Sequence, residues 1–410
     1  MTIAVLCSGQ GPQHRGMFAL TAGAPEAASL FAHAATLLGG MDPRDLVHVA
    51  NDNALHENRL GQILCTLQAL AAASVLRAEL AGPRIIAGYS VGEVAAWGVA
   101  GMLDPTATLD AAARRAEAMD AASAPGDGML FVRGLSRAAI DGLCQRHGVA
   151  VSIVNPGGAY VLGGAGRALD AVADEALHAG ATRAVRVAVK IASHTSRLAT
   201  AVGVFRQVLS QTPTKPALNA GVRLISGIDG APVVRIAAGL DKLAEQIAQT
   251  VLWSDCLEGC IEAGASAFLE LGPGHALSDM AATAYPGTPA RSLDDFNTLH
   301  GAREWLRARS WKQESTYFLK KKQKLLLMKA RAEFNTRLKN QKFFGSFFQK
   351  RTACLQLPVR SREMGRCRRN NRGQIGGRPA HCLVAPNEYK FQIAQFRQIR
   401  LRGQRYKRCR

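Results

Sequence analysis

A serine stands between two glycines in segment 88–92, Gly-Tyr-Ser-Val-Gly. The apolar residues 84–87 before it predict a buried strand, and residues 91–99 after it predict a helix. This arrangement is typical of a nucleophile elbow, because the glycines permit a turn sharp enough to expose Ser90. Backbone N–H groups at the helix start would then stabilise an oxyanion. The alternative is a Gly-Ser loop that only joins two elements, and we favour the nucleophile.

A nucleophilic serine needs a base, and the histidines differ in where the predicted elements place them. His194 falls where the chain leaves a predicted small domain and re-enters the large one, a position that lines a cleft. His275 follows a Gly-Pro-Gly turn and is a second position near the cleft. A lone histidine is often a satisfied core residue, but its position makes His194 the candidate general base.

The elements that must position these residues follow two patterns. The first is a large α/β pattern, with strands at 3–7, 84–87, 222–226 and 267–271 and helices at 24–38, 60–80, 91–99, 105–122, 196–210, 241–250 and 255–263. The second lies within 129–190 and has the order β-α-β-β-α-β, which is that of a ferredoxin-like unit. The Gly-Gly-Ala-Gly of 163–166 is expected to be a turn before a helix rather than a phosphate loop.

The predicted fold class is therefore α/β. A large α/β-hydrolase-like domain with a parallel sheet would hold residues 1–123 and 191–310, and a ferredoxin-like subdomain would be inserted at 124–190. The cleft between the two parts is the expected ligand site.

The chain has a formal net charge of +20, and the excess lies in its last hundred residues. Residues 311–410 hold 27 Lys and Arg against 4 Asp and Glu, whereas residues 1–310 hold 24 against 27. Such a tail is a nucleic-acid or membrane-surface segment, a disordered extension, or sequence foreign to the functional protein through a frameshift or fusion. The abrupt change in residue usage favours the last two, so nucleic-acid binding is not expected.

Five cysteines are scattered through residues 1–310, which fits reduced thiols and a cytoplasmic protein. Cys256 and Cys260 would share one helix face, and core packing is favoured over a metal site because no nearby ligands complete it. No apolar run has the length of a membrane span, so no membrane partner is expected.

Several ordered motifs in residues 3–308 resemble the malonyl-CoA:acyl-carrier-protein transacylase family. They are Gly-Gln-Gly-Pro-Gln at 9–13, the elbow at 88–93, Arg-Ala-Glu-Ala-Met at 115–119, Ser-His at 193–194, Glu-Gln at 245–246 with Trp253, and Leu-Gly-Pro-Gly at 271–274. Within that family, Cys7-Ser8 before the first motif and Tyr89 before the serine look most like the epsilon subunit of malonate decarboxylase, a malonyltransferase.

The resemblance implies a role for each matching residue. Ser90 would be the nucleophile and His194 its base, oriented by a backbone carbonyl near Gln246 instead of a carboxylate. The Val91 N–H and the Gln10 region would form the oxyanion hole. Arg115 would hold the malonyl carboxylate, although a solvated helix arginine is the ordinary alternative. Glu93 and Trp97 are expected to pack and cap the helix.

The resemblance also implies the reaction. A malonyl group would pass from malonyl-CoA through Ser90 to the thiol prosthetic group of an acyl carrier protein, with no permanently bound cofactor and no metal. Malonate decarboxylase, with its other subunits as possible partners, is the first context, and fatty-acid or polyketide synthesis is the alternative. A serine thioesterase or esterase is a weaker alternative, since it predicts a carboxylate before a late histidine and no inserted subdomain.

Overall fold

The structure, a computed structural model, describes residues 2–309, and the predicted basic tail at 311–410 with its expected disorder lies outside the described residues. The strands are β1 Thr2–Cys7, β2 Arg84–Gly88, β3 Asp127–Arg133, β4 Ala150–Asn155, β5 Ala159–Ala165, β6 Arg183–Val187, β7 Val222–Leu224, β8 Val251–Leu252, β9 Ala265–Glu270 and β10 Ala290–Ser292. The helices are α1 Ala28–Leu37, α2 Pro43–Val49, α3 Asp52–Leu55, α4 Asn58–Val75, α5 Val91–Val99, α6 Pro105–Ala122, α7 Arg137–His147, α8 Gly166–His178, α9 Ala199–Gln211, α10 Ile236–Glu245, α11 Trp253–Glu262 and α12 Ala276–Ala284. Residues 299–309 are also helical.

A parallel sheet forms the centre of the large domain. In the described part of the chain its order is β10-β9-β1-β2-β7. The sequence Ile-Ala-Val-Leu-Cys of β1 is buried throughout, as expected for a central parallel strand covered on both faces. Because β1 and β2 are parallel and pair Cys7 with Gly88, the loops that follow them leave the same edge of the sheet. The first motif therefore lies beside the serine elbow.

The inserted subdomain has the predicted βαββαβ order. Its sheet runs β6-β3-β5-β4, with antiparallel pairs and with α7 and α8 on one face. Alternate residues of β3, Leu130 and Val132, pack against these helices, while Phe131 and Arg133 face the cleft. The domain limits at 123/124, 190/191 and 310/311 stay a prediction.

A short strand joins the subdomain to the large domain. Strand β8 comes from the large-domain segment after α10 and pairs in parallel with β4 at the edge of the small sheet. The expected helix at 241–250 is thus wrong, because α10 covers Ile236–Glu245 and the chain then turns into β8. Apolar periodicity continues through Ile247 and Val251, so the pattern alone does not mark the end of the helix.

The turn expected at 163–166 is also wrong. Gly163 and Gly164 lie within β5, and Gly166 begins α8. A Cβ on Gly163 would lie 2.5 Å from Ser152 Oγ, and one on Gly164 would lie 2.8 Å from a Val149 methyl. These glycines therefore allow close packing inside a strand instead of making a turn.

Candidate active site

The elbow predicted around Ser90 is present. Ser90 has φ 57° and ψ −120° and directly precedes α5. A Cβ on Gly92 would overlap the carbonyl oxygen of Cys7, and one on Gly88 would overlap the backbone of Gly92. The two glycines are required because strand β1 and the start of α5 leave no room for side chains there.

His194 lies against the serine. Its Nε2 is 2.8 Å from Ser90 Oγ, and its side chain is 1% exposed. Within residues 2–309, Ser90 and His194 are the two non-glycine residues with positive φ, a conformation that costs free energy and is held by the surroundings. The surrounding structure therefore holds both residues of the pair in strained backbone conformations.

The backbone after α10 holds the imidazole. His194 Nδ1 is 2.6 Å from the carbonyl oxygen of Gln246, and the backbone N–H of His194 donates to the carbonyl of Ile247 at 2.8 Å. Carbonyls at the end of a helix lack intrahelical partners, so they are free to accept these bonds. A carbonyl can only accept, and this places the proton on Nδ1 and leaves Nε2 to accept from Ser90. Burial, together with the positive charge of Arg115, lowers the pKa of His194 to about 3.

Arg115 is fully buried beneath this pair. Its Nη1 donates to Gln62 Oε1 at 2.7 Å, and its Nη2 donates to Gln246 Oε1 at 3.0 Å. The Nε of Arg115 has no hydrogen-bond partner among the described residues. Burial lowers the pKa of the guanidinium to about 10, which leaves it charged at neutral pH. A solvated helix arginine is therefore excluded.

One amide group connects Arg115 to Ser90. Gln246 receives the Arg115 bond on Oε1, while its Nε2 donates to the Ser90 carbonyl at 3.1 Å. The same Nε2 donates to Glu93 Oε2 at 2.5 Å. Gln246 was predicted only for its backbone carbonyl, so the role of its side chain is new information from the structure.

Sequence reasoning missed Gln62, and it assigned Glu93 to helix packing and capping, whereas the structure shows Glu93 bonded to the Gln246 side chain. Gln62 is a buried polar residue of α4, which also buries Thr66 and Gln68, and Glu93 is a buried carboxylate in α5. Each is a polar side chain inside an apolar run, which is a signal that it needs a buried partner. Trp97 is buried in the core as expected.

The predicted oxyanion-hole residues lie on both sides of Ser90. Val91 is the first residue of α5, and its backbone N–H donates to no atom of residues 2–309; the same holds for the backbone N–H of Gln10. A Cβ on Gly9 would lie 2.6 Å from the Tyr89 carbonyl and 3.4 Å from Ser90 Cβ, so the backbone before Gln10 passes directly against the elbow. The Gln10 side chain anchors this loop by donating to the Asn58 carbonyl at 3.1 Å.

A cleft of about 800 Å³ opens between the subdomain and the sheet edge. Its walls include Gly9, Gln10 and Tyr89 from the large domain and Phe131, Arg133 and Arg183 from the small sheet. Arg133 and Arg183 are opposite each other in β3 and β6, and both guanidinium groups lie within 6 Å of the Phe131 ring centre. Neither arginine forms an ion pair with a carboxylate in the described chain.

The remaining candidate residues either lie away from the Ser90–His194 pair or pack against the hydrophobic core. His275 is exposed and bonds Asp279 at 2.7 Å, so it is not part of the Ser90 pair. Tyr89 is half-buried with its ring edge against Trp253, and desolvation of its hydroxyl raises its pKa to about 12. Cys256 and Cys260 are buried free thiols in the core. In residues 2–309, no helix is both long and apolar enough to cross a membrane.

Residues 5–286 match the acyl transferase domain family. The chain belongs to this family. This acyl transferase is 31% identical over 296 residues to the malonyl CoA-acyl carrier protein transacylase of Mycobacterium tuberculosis H37Rv, covering 71% of this chain and 96% of the relative. It is 29% identical to the enzyme of that name from Haemophilus influenzae, covering 74% and 98%.

Solved structures show the same fold for the acyl transferase. The crystal structure of the Mycobacterium tuberculosis enzyme aligns with a TM-score of 0.66 and 31% identity, over 72% of this chain and 96% of that chain. A malonyl-transacylase in complex with a type II polyketide-synthase acyl-carrier protein aligns with a TM-score of 0.68 and 26% identity, over 74% and 99%.

Proposed function

We propose that this acyl transferase moves a malonyl group from malonyl-CoA to the thiol of an acyl carrier protein through a malonyl ester of Ser90. The observation that carries the proposal is the link between Arg115 and Ser90 through the Gln246 side chain. This link supports a site in which a buried cation, able to bind the substrate carboxylate, is connected to an activated serine. The relatives named malonyl CoA-acyl carrier protein transacylase support the same substrate pair.

In the first half-reaction, Ser90 Oγ attacks the thioester carbon while its proton moves to His194 Nε2. The carbonyl oxygen becomes an oxyanion, and the N–H groups of Val91 and Gln10, which donate to no atom of residues 2–309, would stabilise it. When the C–S bond breaks, the proton on Nε2 passes to the departing CoA sulfur. In the second half-reaction a carrier thiol gives its proton to Nε2, attacks the Ser90 ester and releases Ser90 with that proton.

Arg115 selects for an acyl group that ends in a carboxylate. Its Nε is unpaired within residues 2–309 and its direct hydrogen bonds go to neutral amides, so a malonyl carboxylate would supply an anion in direct contact with the guanidinium. An acetyl group would leave the guanidinium without that partner in a buried site, which is unfavourable.

The arginines at the cleft support anionic partners. Two like charges opposite each other in a sheet repel, and here Arg133 and Arg183 lack a carboxylate within the described chain. Phosphate groups of CoA and the acidic surface of a carrier protein are the anions that the proposed reaction brings to this cleft.

Fatty-acid or polyketide synthesis is the better supported context. The similar proteins are malonyl CoA-acyl carrier protein transacylases, and one solved structure contains a polyketide carrier protein. A role in malonate decarboxylase, with its other subunits as partners, stays a prediction that rests on Cys7-Ser8 and Tyr89. Comparing transfer to purified carriers of the two kinds distinguishes these contexts.

The test is intact mass spectrometry of the full-length protein after incubation with malonyl-CoA. We expect a malonyl adduct that is absent in Ser90→Ala and is discharged by a carrier protein bearing a free prosthetic thiol. A folded protein that acquires no adduct would refute the proposal. Release of free malonate at the same rate with and without the carrier would instead indicate a thioesterase.

A further inference from the structure

Glu93 makes contacts that go beyond what helix packing or capping requires. The side chain is 1% exposed, and its Oε2 accepts a 2.5 Å hydrogen bond from Gln246 Nε2. A Cβ on Gly227 would overlap Glu93 Oε2 and would lie 3.3 Å from Gln246 Nε2. The loop before α10 therefore closes tightly over this carboxylate and the amide beside it.

Among residues 2–309, Glu93 is the carboxylate whose charge acts on Arg115. Arg115 is fully buried, and its hydrogen bonds go to the neutral amides of Gln62 and Gln246. Glu93 lies on the other side of the Gln246 amide, and its charge acts to keep Arg115 protonated. A buried cation without a counter-charge is strongly unfavourable, so Glu93 stabilises Arg115 in the unloaded protein.

We propose, on the basis of the proposed malonyl transfer, that Glu93 is the resident counter-ion of Arg115 and takes up a proton from solvent when the malonyl carboxylate binds. Two carboxylates that share one buried cation leave an excess negative charge, and protonation of the inner carboxyl removes it. Glu93 does not touch the substrate. It is a positioning residue that also orients Gln246, whose Nε2 bonds Ser90 and whose Oε1 bonds Arg115.

The surroundings make Glu93 ready to bind a proton. Burial raises the pKa of its carboxyl to about 7, against the opposing effects of the Gly227 and Gln246 hydrogen bonds and of Arg115. Besides Arg115, the titratable groups whose charges couple to it are Asp229 and the Cys256 thiol. Asp229 raises the Glu93 pKa through its negative charge and is itself paired with Lys242. A malonyl carboxylate at Arg115 would raise this pKa further.

The first experiment measures the coupling between Glu93 and Arg115 without substrate. Thermal unfolding of the full-length protein is compared for Glu93→Gln, Arg115→Met and the double variant at about pH 8, where Glu93 is mostly ionised. We expect each single substitution to lower Tm and the double variant to unfold at a higher temperature than Arg115→Met, because the unpaired buried carboxylate is gone. Additive losses of Tm would overturn the counter-ion assignment.

The second experiment measures the proton. Malonyl-CoA is titrated by calorimetry into full-length Ser90→Ala, which cannot be acylated, in buffers of different ionisation enthalpy at about pH 8. We expect net proton uptake with malonyl-CoA, no uptake with acetyl-CoA, and no uptake in Ser90→Ala/Glu93→Gln. Unchanged uptake after the Glu93 substitution would overturn the proposal.

Glu270 provides the matched control. It is also a buried carboxyl whose pKa is raised to about 7 by burial, but it bonds Ser8 Oγ and the Ser278 N–H rather than Gln246. We expect Ser90→Ala/Glu270→Gln to keep the uptake, and its loss there would assign the proton to Glu270. If the wild-type protein acquires no malonyl adduct, the proposed function fails, while the Tm comparison still decides whether Glu93 and Arg115 are coupled.

Discussion

His194 Nδ1 lies 2.6 Å from the backbone carbonyl of Gln246, at the position where many serine enzymes place a carboxylate. A neutral carbonyl fixes the tautomer and the ring orientation without adding a negative charge beside the imidazole. The same residue reaches Arg115 and Ser90 with its side chain. The residues proposed as base, nucleophile and carboxylate-binding cation are thus joined through one residue at the end of α10.

The first prediction concerns the nucleophile and its base. We expect Ser90→Ala to abolish acyl-enzyme formation, because no hydroxyl remains to form the ester, and His194→Ala to lower its rate by about 10³-fold. Rapid-quench measurements of malonyl loading check both. His275→Ala is the control, since His275 is exposed and bonds Asp279, and it should load at the wild-type rate.

The second prediction concerns acyl selection. Arg115→Ala should lower kcat/KM for malonyl-CoA about 30- to 100-fold, because a charged hydrogen-bonded pair is lost, while acetyl-CoA loading should stay unchanged or rise. The neighbouring Arg114 is exposed and meets only Glu117, so Arg114→Ala should leave both substrates unaffected. Equal losses for malonyl-CoA and acetyl-CoA in Arg115→Ala would count against a carboxylate contact.

The third prediction is the pH dependence of stability that arises from His194. The pKa is about 3 in the folded protein and near 6.5 in the unfolded chain, so the unfolded state binds more protons between these values. The contribution of His194 to stability is therefore complete above about pH 6.5 and is lost as the pH falls towards about 3. Chemical denaturation should show the wild type losing stability relative to His194→Asn between about pH 6.5 and pH 4.5.

The fourth prediction tests the packing of the elbow. Gly92→Ala should lower the free energy of unfolding by about 3 kcal/mol or more, since the new methyl meets the Cys7 carbonyl rather than a flexible side chain. Gly203 lies in α9 with open space around it, so Gly203→Ala should raise stability by about 0.5–1 kcal/mol. Urea denaturation of both variants measures the difference.

The fifth prediction concerns the cleft arginines. Arg133→Ala and Arg183→Ala should each raise KM for malonyl-CoA or for the carrier protein about fivefold at low salt, with little change in kcat. Arg137 is the control, because it is paired with Asp141 on α7 away from the cleft. Steady-state kinetics at two salt concentrations test this, and no change in KM in either variant would refute it.

Much of the fold follows from local signals. The predicted ends of α5 and α6 agree with the structure, because Ser90 and Asp104 precede helices whose apolar faces are continuous. Helix α10 was misplaced, since the apolar pattern runs on past its end. Helix α12 and strand β10 were not predicted, and both are short and depend on packing against β9.

The sequence by itself determined the elbow at Ser90, because a strand, two glycines and a helix around one serine specify a sharp turn, and it placed His194 at the return to the large domain. Only the tertiary structure decided which partners complete the site. Gln62, Glu93 and Gln246 lie on three different elements, and their bonds with Arg115 and with each other join residues up to 153 positions apart. Burial, which no single segment of sequence fixes, makes Arg115 depend on a counter-charge and keeps His194 neutral.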